Sequence, residues 1–125
     1  MDGHTGRRVQ QNFAELKPQF LSTTGIGFDG YTVKKYLGVK NGEVVLGTGF
    51  LSEFSAAVSD VFGTANVDMA NKLAEAKKAS LDMFIEDCIY AGANAAISID
   101  IDIMTLSNNM IVVSTTGTAV VIESL

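Results

Sequence analysis

The stretch GANAAISIDIDIMTLSNNMIVVSTTGT, residues Gly92 to Thr118, decides the fold of this chain. Isoleucine occupies every second position from Ile97 to Ile103, and Ser98, Asp100 and Asp102 stand between the isoleucines. Because side chains along a strand point alternately to opposite faces, this pattern predicts a strand with one apolar and one acidic face. Such a strand is typical of an antiparallel sheet with a single buried face.

A second strand is predicted from Met110 onward, because an apolar run follows the turn-forming residues 107–109. The two strands then form a hairpin, whose register depends on the length of the loop. A two-residue loop at Asn108–Asn109 sets Asp100 opposite Gly117.

A three-residue loop, residues Asn108 to Met110, is the alternative that keeps the apolar face apolar. It sets Asp100 opposite Thr118 and Asp102 opposite Thr116, so that hydroxyls face carboxylates. We prefer this register, since a slip by one residue exchanges the two faces of a strand.

Two helices are predicted ahead of the hairpin. A continuous apolar stripe indicates a long helix over Asn66–Ala91, with Asn66 as its N-cap and Gly92 as its stop signal. An aromatic stripe indicates a shorter helix over Gly49–Phe62, in which the rings serve the core. We expect Ile101 of the hairpin to be buried beneath the long helix.

The first part of the chain is less regular. Phe20–Thr24 is predicted to be a short strand, followed by a loop. Tyr31–Leu46 is either a hairpin that turns at Asn41–Gly42 or one bent strand, since Asn-Gly is a strong turn signal. Residues 1–18 are polar, and within them Arg8–Lys17 is either a short helix or a frayed tail.

Composition excludes several classes of function. The chain of 125 residues carries a net charge of −5 and has no basic cluster, which argues against nucleic acid and anionic membranes as partners. The only cysteine cannot form an intramolecular disulfide, and no apolar run has the length of a membrane span. The N-terminal residues lack the apolar core of a signal peptide, so we expect a cytoplasmic protein.

Three motifs together resemble the YbjQ family of small bacterial proteins: YLGVKNGEVVLG at Tyr36–Gly47, AGANAAISIDID at Ala91–Asp102 and STTGTAVVI at Ser114–Ile122. The family carries a heavy-metal-binding label without an established activity. The resemblance implies an α+β subunit of the dodecin-like β-α-β-β type, a two-layer antiparallel sheet covered by helices, which assembles into a ring-shaped homopentamer. It places the domain at residues 19–125 and leaves residues 1–18 as an extension.

Asp100 and Asp102 are the candidate metal ligands, because they share one strand face with the hydroxyls of Thr116 and Thr118. Repeated around a ring, they would offer oxygen ligands to a hard divalent cation. The competing interpretation is a polar surface in which the threonines donate hydrogen bonds to the carboxylates.

The sequence contains few of the ligands that the heavy-metal-binding label of the family requires. Soft metals prefer thiolate and imidazole ligands, and the chain contains only Cys88 and His4. Cys88 falls in the apolar helix stripe and His4 in the N-terminal extension. Lys77 is a further candidate, which either reaches solvent or meets Asp100 or Asp102 across a subunit contact.

Three functional hypotheses follow. The chain is an oligomeric module that binds a metal or a small ligand between subunits, a structural scaffold, or an enzyme with a carboxylate site between subunits. A single histidine excludes a Ser-His-Asp triad, and no catalytic residue or cofactor can be assigned.

Overall fold

The computed structural model describes residues 17–47, 64–106 and 110–125. A 3-10 turn at Lys17–Gln19 precedes strand β1 (Leu21–Ser22) and strand β2 (Tyr31–Leu46). Helix α1 (Thr64–Tyr90) follows, and strands β3 (Ala95–Leu106) and β4 (Met110–Ser124) complete the described chain. The predicted Gly49–Phe62 helix, and the conformation of residues 8–16, lie outside the described residues.

The described strands form a single sheet in the order β1-β3-β4-β2. Strand β4 pairs antiparallel with both β2 and β3, whereas β1 pairs parallel with β3. The α+β class is therefore confirmed, but the prediction of an antiparallel sheet is wrong at this edge. The chain enters the sheet beside the start of β3 and runs in the same direction, so the sheet is mixed.

Helix α1 ends as predicted, while its start differs. Gly92 adopts a positive φ of 97°, which a glycine reaches without steric cost. The backbone amide of Ala93 donates to the Cys88 carbonyl at 3.0 Å, which closes the last turn. The helix begins at Thr64, so Asn66 lies inside the first turn and is not the N-cap.

Strand β2 is one bent strand of 16 residues, so the alternative of a hairpin at Asn41–Gly42 is wrong. Irregularities between Val33 and Lys35 and between Tyr36 and Gly38 bend the strand. The Asn-Gly pair serves helix packing: a Cβ at Gly42 would lie 2.4 Å from the Ser80 carbonyl oxygen. Glycine is thus required here because the helix backbone rests directly on the strand.

The hairpin register differs from both predicted registers. Asp100 lies opposite Thr116 and Asp102 opposite Ser114, while Leu106 pairs with Met110. The connection therefore falls on residues 107–109, which shifts the pairing by two residues from the preferred register. A shift of two preserves the faces, so the carboxylates still lie beside polar β4 residues.

A β-bulge at Ser98 divides the isoleucine stripe. The register shifts between Ile97 and Asp100, and Ser98 has a positive φ of 55°. Because a bulge adds one residue to its strand, Ile97 and Ile99 join clusters on opposite faces of the sheet. The prediction of one wholly apolar face is therefore wrong at this point.

Ile101 is 39% exposed, so the prediction that the long helix buries it is also wrong. It lies opposite Thr115, on the face that carries the helix. Helix α1 packs mainly on β2 and β4, so among the residues that the structure describes the helix leaves much of β3 uncovered.

The core lies between α1 and the middle of the sheet, and a smaller cluster occupies the opposite face. The helix side buries Phe84, Cys88, Ile99, Ala119 and, further along, Met69, Ala76 and Val113. The opposite side buries Ala95, Ile97, Val120 and Ile122 beneath Phe28 and Val33. In the described ranges, no helix combines the length and the apolar character that crossing a membrane requires.

Candidate acidic site at the edge of the sheet

Asp100 and Asp102 lie on the face of the sheet that is turned away from the helix. The Thr115 hydroxyl lies 2.7 Å from the Ser80 hydroxyl of α1, which fixes Thr115 on the helix side. Its neighbours in β4 therefore point to the other side, and so do Asp100 and Asp102, their partners in β3. Both aspartates are exposed.

The two carboxylates interact with each other. The pKa of Asp102 is raised from its ordinary value of 3.8, first because its side chain shares a hydrogen bond with Asp100 and second because Asp100 carries the same charge. The site therefore holds two acidic groups whose full ionisation is unfavourable without a positive partner. The prediction that they share one strand face is consistent with this contact.

The two candidate threonines are separated by the structure. Thr116 is exposed and lies directly opposite Asp100. Thr118 pairs with Ile97, on the far side of the Ser98 bulge, and so lies away from the carboxylates. The hydroxyl nearest to Asp102 in the register is Ser114, which sequence reasoning had not selected.

The outer edge of β3 is the feature that sequence reasoning missed. Strand β1 pairs only with Ala95 and Ala96, and two loop carbonyls accept bonds from the amides of Ser98 and Ile99. From Asp100 to Leu106, β3 has no strand partner on its outer side among the described residues. Four large apolar side chains of this segment are 39–46% exposed: Ile101, Ile103, Met104 and Leu106.

A signal for this apolar edge was present in the sequence. Met104 and Leu106 share the parity of the two aspartates, whereas Ile101 and Ile103 have the opposite parity. The last part of β3 is thus apolar on both faces. That pattern is typical of a strand that is covered on both sides, as happens when a sheet continues into a neighbouring molecule.

The remaining candidates do not join this site within one protomer. Lys77 is exposed on α1, on the opposite side of the sheet from the carboxylates. Its exposure agrees with the alternative in which Lys77 reaches solvent, and a contact with Asp100 or Asp102 of a neighbouring subunit stays a prediction. His4 lies outside the described residues.

Cys88 is fully buried in the core, as predicted for a thiol in the apolar stripe. Burial raises the pKa of this thiol to about 12, and the charge of Asp87 adds to the effect. A metal binds the thiolate form, which this environment strongly disfavours. Among the residues that the structure describes, no three His, Cys, Asp or Glu side chains are grouped so that they could hold a metal ion. The donor set of the described residues therefore does not fit a soft heavy metal.

Fold and site together define a small α+β protein with a helix on one face of a mixed sheet and an acidic, partly apolar strand at its edge. The chain belongs to the YbjQ family, whose model, described as "Putative heavy-metal-binding", matches residues 20–123. The predicted family membership is thus confirmed.

Curated relatives carry the name UPF0145 protein, which states no activity. The protein from Carboxydothermus hydrogenoformans is 39% identical over 103 residues, covering 82% of this chain and 95% of the relative. The protein from Acetivibrio thermocellus is 39% identical over 105 residues, covering 82% and 99%. A relative from Geobacillus kaustophilus is 34% identical over 104 residues, covering 83% and 99%.

A solved structure from Pediococcus pentosaceus, a protein of unknown function in the DUF74 family, is also similar. It shares 16% identity with a TM-score of 0.42 and covers 83% of this chain and 98% of its own.

Proposed function

We propose that this protein is a non-catalytic module that self-associates edge to edge into a ring and binds a divalent cation weakly at Asp100 and Asp102. The observation that carries the proposal is the outer edge of β3 from Asp100 to Leu106, which has no strand partner in the described parts of the chain and combines the two carboxylates with exposed apolar side chains. Unpaired, apolar strand edges are natural sites for pairing with another chain.

The second edge of the described sheet supports self-association. Among the described strands, β2 pairs only with β4, and it exposes Tyr36 and Val39 at 66% and 71%. When β3 of one copy pairs with β2 of the next, the two contact surfaces differ, so the interface is heterologous. Heterologous contacts that close by rotation produce rings. A dodecin-like homopentamer, the assembly implied by the family resemblance, is the ring that we propose.

Carboxylate chemistry sets the kind of ion. Two aspartates supply hard oxygen ligands, which suit magnesium, calcium or manganese, and two such side chains fill only part of a coordination sphere. Water and groups of the neighbouring copy supply the rest. A site with so few charged ligands is weak, with a dissociation constant on the order of 10⁻⁴–10⁻³ M.

Catalysis ranks lower because the carboxylates lie on an open strand face. An enzyme with two carboxylates needs a pocket that orients a substrate and excludes water. Asp100 and Asp102 are exposed, and they line neither cavity described for the protomer. A binding or structural role fits this geometry better.

Calorimetry tests the cation site. Magnesium, zinc and cadmium are titrated into the wild type, Cys88→Ser and the Asp100→Asn/Asp102→Asn variant, with Asp29→Asn as the matched control for loss of an exposed carboxylate. We expect weak binding that only the double aspartate variant loses. Sub-micromolar cadmium binding that Cys88→Ser abolishes would refute the proposal, and absence of binding in every form would leave the structural scaffold.

Light scattering tests the assembly. The wild type should have the mass of a pentamer at micromolar concentration, while Ile103→Lys places a charge on the apolar β3 edge and should shift the mass toward the monomer. Ile26→Lys makes the same exchange at a loop residue that is 89% exposed, and it should keep the wild-type mass. A monomeric wild type would contradict the ring, whatever the variants do.

A further inference from the structure

A groove lies along one flank of helix α1, above the outer side of strand β2. It has a volume of about 370 Å³ and is lined by Asn41, Met83, Glu86, Asp87 and Tyr90. Met83 and Tyr90 are 47% and 58% exposed, so two large side chains of the helix present apolar surface to solvent there. Exposed apolar surface with a polar rim marks a site of interaction with another molecule.

The groove stands over the place that the next strand beyond β2 would occupy. A Cβ at Gly42 would lie 2.4 Å from the Ser80 carbonyl oxygen and 2.9 Å from the Met83 Cβ, so the helix rests directly on β2. Among the described strands β2 is the outermost, and this flank of the helix therefore overhangs the edge of the sheet. A strand added to β2 would lie about 4.8 Å further out, beneath Met83 and Tyr90.

Strand β3 of a second copy has the direction and the side chains that this place requires. Strands β2 and β3 both pair antiparallel with β4, so they run in the same direction. A rotation that joins β3 of one copy to β2 of the next therefore keeps the helices of both copies on one side of the sheet. On that side β3 carries Ile101 and Ile103, which are 39% and 45% exposed. The two isoleucines of one copy would thus enter the groove of the next.

One displacement of the helix produces both of these surfaces. Because α1 packs mainly on β2 and β4, it overhangs the β2 edge and, among the described residues, leaves Ile101 and Ile103 exposed at the β3 edge. In a sheet that continues from copy to copy, the overhang of one helix covers the strand that the next helix leaves uncovered. The two edges are therefore complementary in shape as well as in apolar character.

The two flanks of α1 also carry opposite charge. The Asp82 carboxylate lies 2.7 Å from the Lys17 ammonium, just before β1, so this flank of the helix faces the β3 edge. Exposed Lys78 precedes Asp82 by one turn and lies on the same flank. The other flank carries Glu86 and Asp87 at the rim of the groove. A neighbouring copy therefore presents a lysine to two carboxylates.

A stagger between copies would bring these charges together. Val44 packs with Met69 near the start of the helix, whereas Asn41 lines the groove with Glu86, so α1 runs antiparallel to β2. Glu86 accordingly lies nearer to the start of β2 than Lys78 does. Closed rings of strands have a staggered register. A stagger toward the start of β2 moves Lys78 of one copy toward Glu86 of the next.

We propose that the groove is filled by a second copy of this chain, whose Ile101 and Ile103 pack against Met83 and Tyr90. Lys78 of that copy lies at the acidic rim. The inference rests on the edge-to-edge ring of the proposed function, and it names the side chains that hold neighbouring copies together on the helix side of the sheet. The acidic site lies on the other face, where this contact leaves it untouched.

Cross-linking between copies tests the apolar contact. Chains with Ile103→Cys are co-folded with chains with Met83→Cys, the assembled protein is treated with a short bis-maleimide, and mass spectrometry identifies the joined peptides. We expect a cross-link between the two variants, which joins different copies because each chain carries one introduced thiol. The native Cys88 is fully buried and does not compete for the reagent.

Met104→Cys is the matched control for Ile103→Cys. Met104 lies next to Ile103 on the same strand edge and is 46% exposed, but its side chain points to the other face of the sheet. Chains with Met104→Cys should therefore give no cross-link with chains that carry Met83→Cys.

Charge reversal tests the ionic contact, with light scattering over a series of protein concentrations as the measurement. Lys78→Glu should raise the concentration at which the assembly dissociates about two- to fivefold, the effect of losing an exposed ion pair. Adding Glu86→Lys and Asp87→Lys to that variant should return the dissociation toward that of the wild type. A triple variant that dissociates as readily as Lys78→Glu would contradict the contact.

Failure of this inference is distinguishable from failure of the proposed function. A pentamer mass without the cross-link between Ile103→Cys and Met83→Cys chains, or with equal cross-linking from Met104→Cys, would overturn the groove contact and leave the ring in place. Cross-links between two Ile103→Cys chains would show that two β3 edges meet across a two-fold axis, which contradicts both proposals. A monomeric wild type would contradict both as well.

Discussion

The helix-covered centre of the sheet and its outer β3 edge use the same strands in opposite ways. At the centre, the Ser80 hydroxyl donates to the Gly42 carbonyl at 2.9 Å and lies 2.7 Å from the Thr115 hydroxyl. At the edge, Asp100, Asp102 and the apolar residues around them are exposed. Among the described residues, the centre has its hydrogen-bond partners within one protomer, whereas β3 has no strand partner on its outer side from Asp100 to Leu106. Stability and function are therefore expected to separate along the sheet.

The largest expected effect is at Gly42. In Gly42→Ala the new Cβ would lie 2.4 Å from the Ser80 oxygen and 2.5 Å from the Phe84 amide nitrogen, both backbone atoms. Relieving this contact requires the helix to move off the sheet, which should lower the free energy of unfolding by about 3 kcal/mol.

Urea denaturation at fixed protein concentration measures this loss. Gly47→Ala is the matched control, since a Cβ there meets nothing within 4 Å, and it should change stability by about 0.5 kcal/mol or less. Equal stability of the two variants would show that α1 does not rest on β2 as described.

The buried hydroxyl pair should give the next largest effect. Ser80→Ala leaves the Gly42 carbonyl and the Thr115 hydroxyl without their partner in a buried position, which should cost about 1–3 kcal/mol. Thr116→Val, which removes an exposed hydroxyl on the other face, should cost about 0.5 kcal/mol or less. Thermal and urea unfolding of the two variants provide the measurement, and a Ser80→Ala variant as stable as the wild type would contradict the predicted cost.

The sequence predicted those features that depend on periodicity or on a single backbone requirement. The long helix and its stop at Gly92 are local properties, and both are confirmed. The shared face of Asp100 and Asp102 follows from strand parity, which survives a register shift of two residues.

The predictions that were wrong concern features that depend on residues distant in the sequence. The Asn41–Gly42 pair carries the composition of a turn, but its glycine is needed by a helix that begins more than 20 residues later. The Ser98 bulge is stabilised by carbonyl groups of the loop that precedes β2. The Ser98 amide donates to the Gly25 carbonyl oxygen at 2.8 Å. A serine with positive φ has no sequence signal of its own, so the exchange of faces at Ile97 was not predictable.

Two residues that pair across β3 and β4 allow a direct comparison of the centre of the sheet with its edge. Ile103 and Val113 lie opposite each other on the same face, yet Val113 is fully buried and Ile103 is 45% exposed. Val113→Ala should lower the free energy of unfolding by about 2–4 kcal/mol. Ile103→Ala should cost about 1 kcal/mol or less in a dissociated protomer, because much of its surface already faces water.

Unfolding measured over a range of protein concentrations separates the two contributions. Association stabilises the native state by mass action, so the cost of Ile103→Ala should grow with concentration while that of Val113→Ala stays constant. A cost for Ile103→Ala that is large and independent of concentration would show that the edge is part of the protomer core.

The smallest expected effect on stability is that of Asp100→Asn at the edge. Asp100 raises the pKa of Asp102 through a shared hydrogen bond and through its charge, so the folded state binds the Asp102 proton more tightly than the unfolded state. A raised folded pKa contributes stability below the ordinary value of 3.8, and this contribution is lost as the pH rises through the raised value. At neutral pH the wild type therefore retains the repulsion between the two carboxylates.

Asp100→Asn removes the charge, so the variant should be at least as stable as the wild type at neutral pH and should lose less stability between acidic and neutral pH. Denaturation at a series of pH values and NMR titration of the Asp102 carboxyl measure the two quantities, with Asp29→Asn as the control. The pKa of Asp102 should fall only in Asp100→Asn, and an unchanged titration would mean that the two carboxylates do not interact and that a cation has no preformed pair to bind.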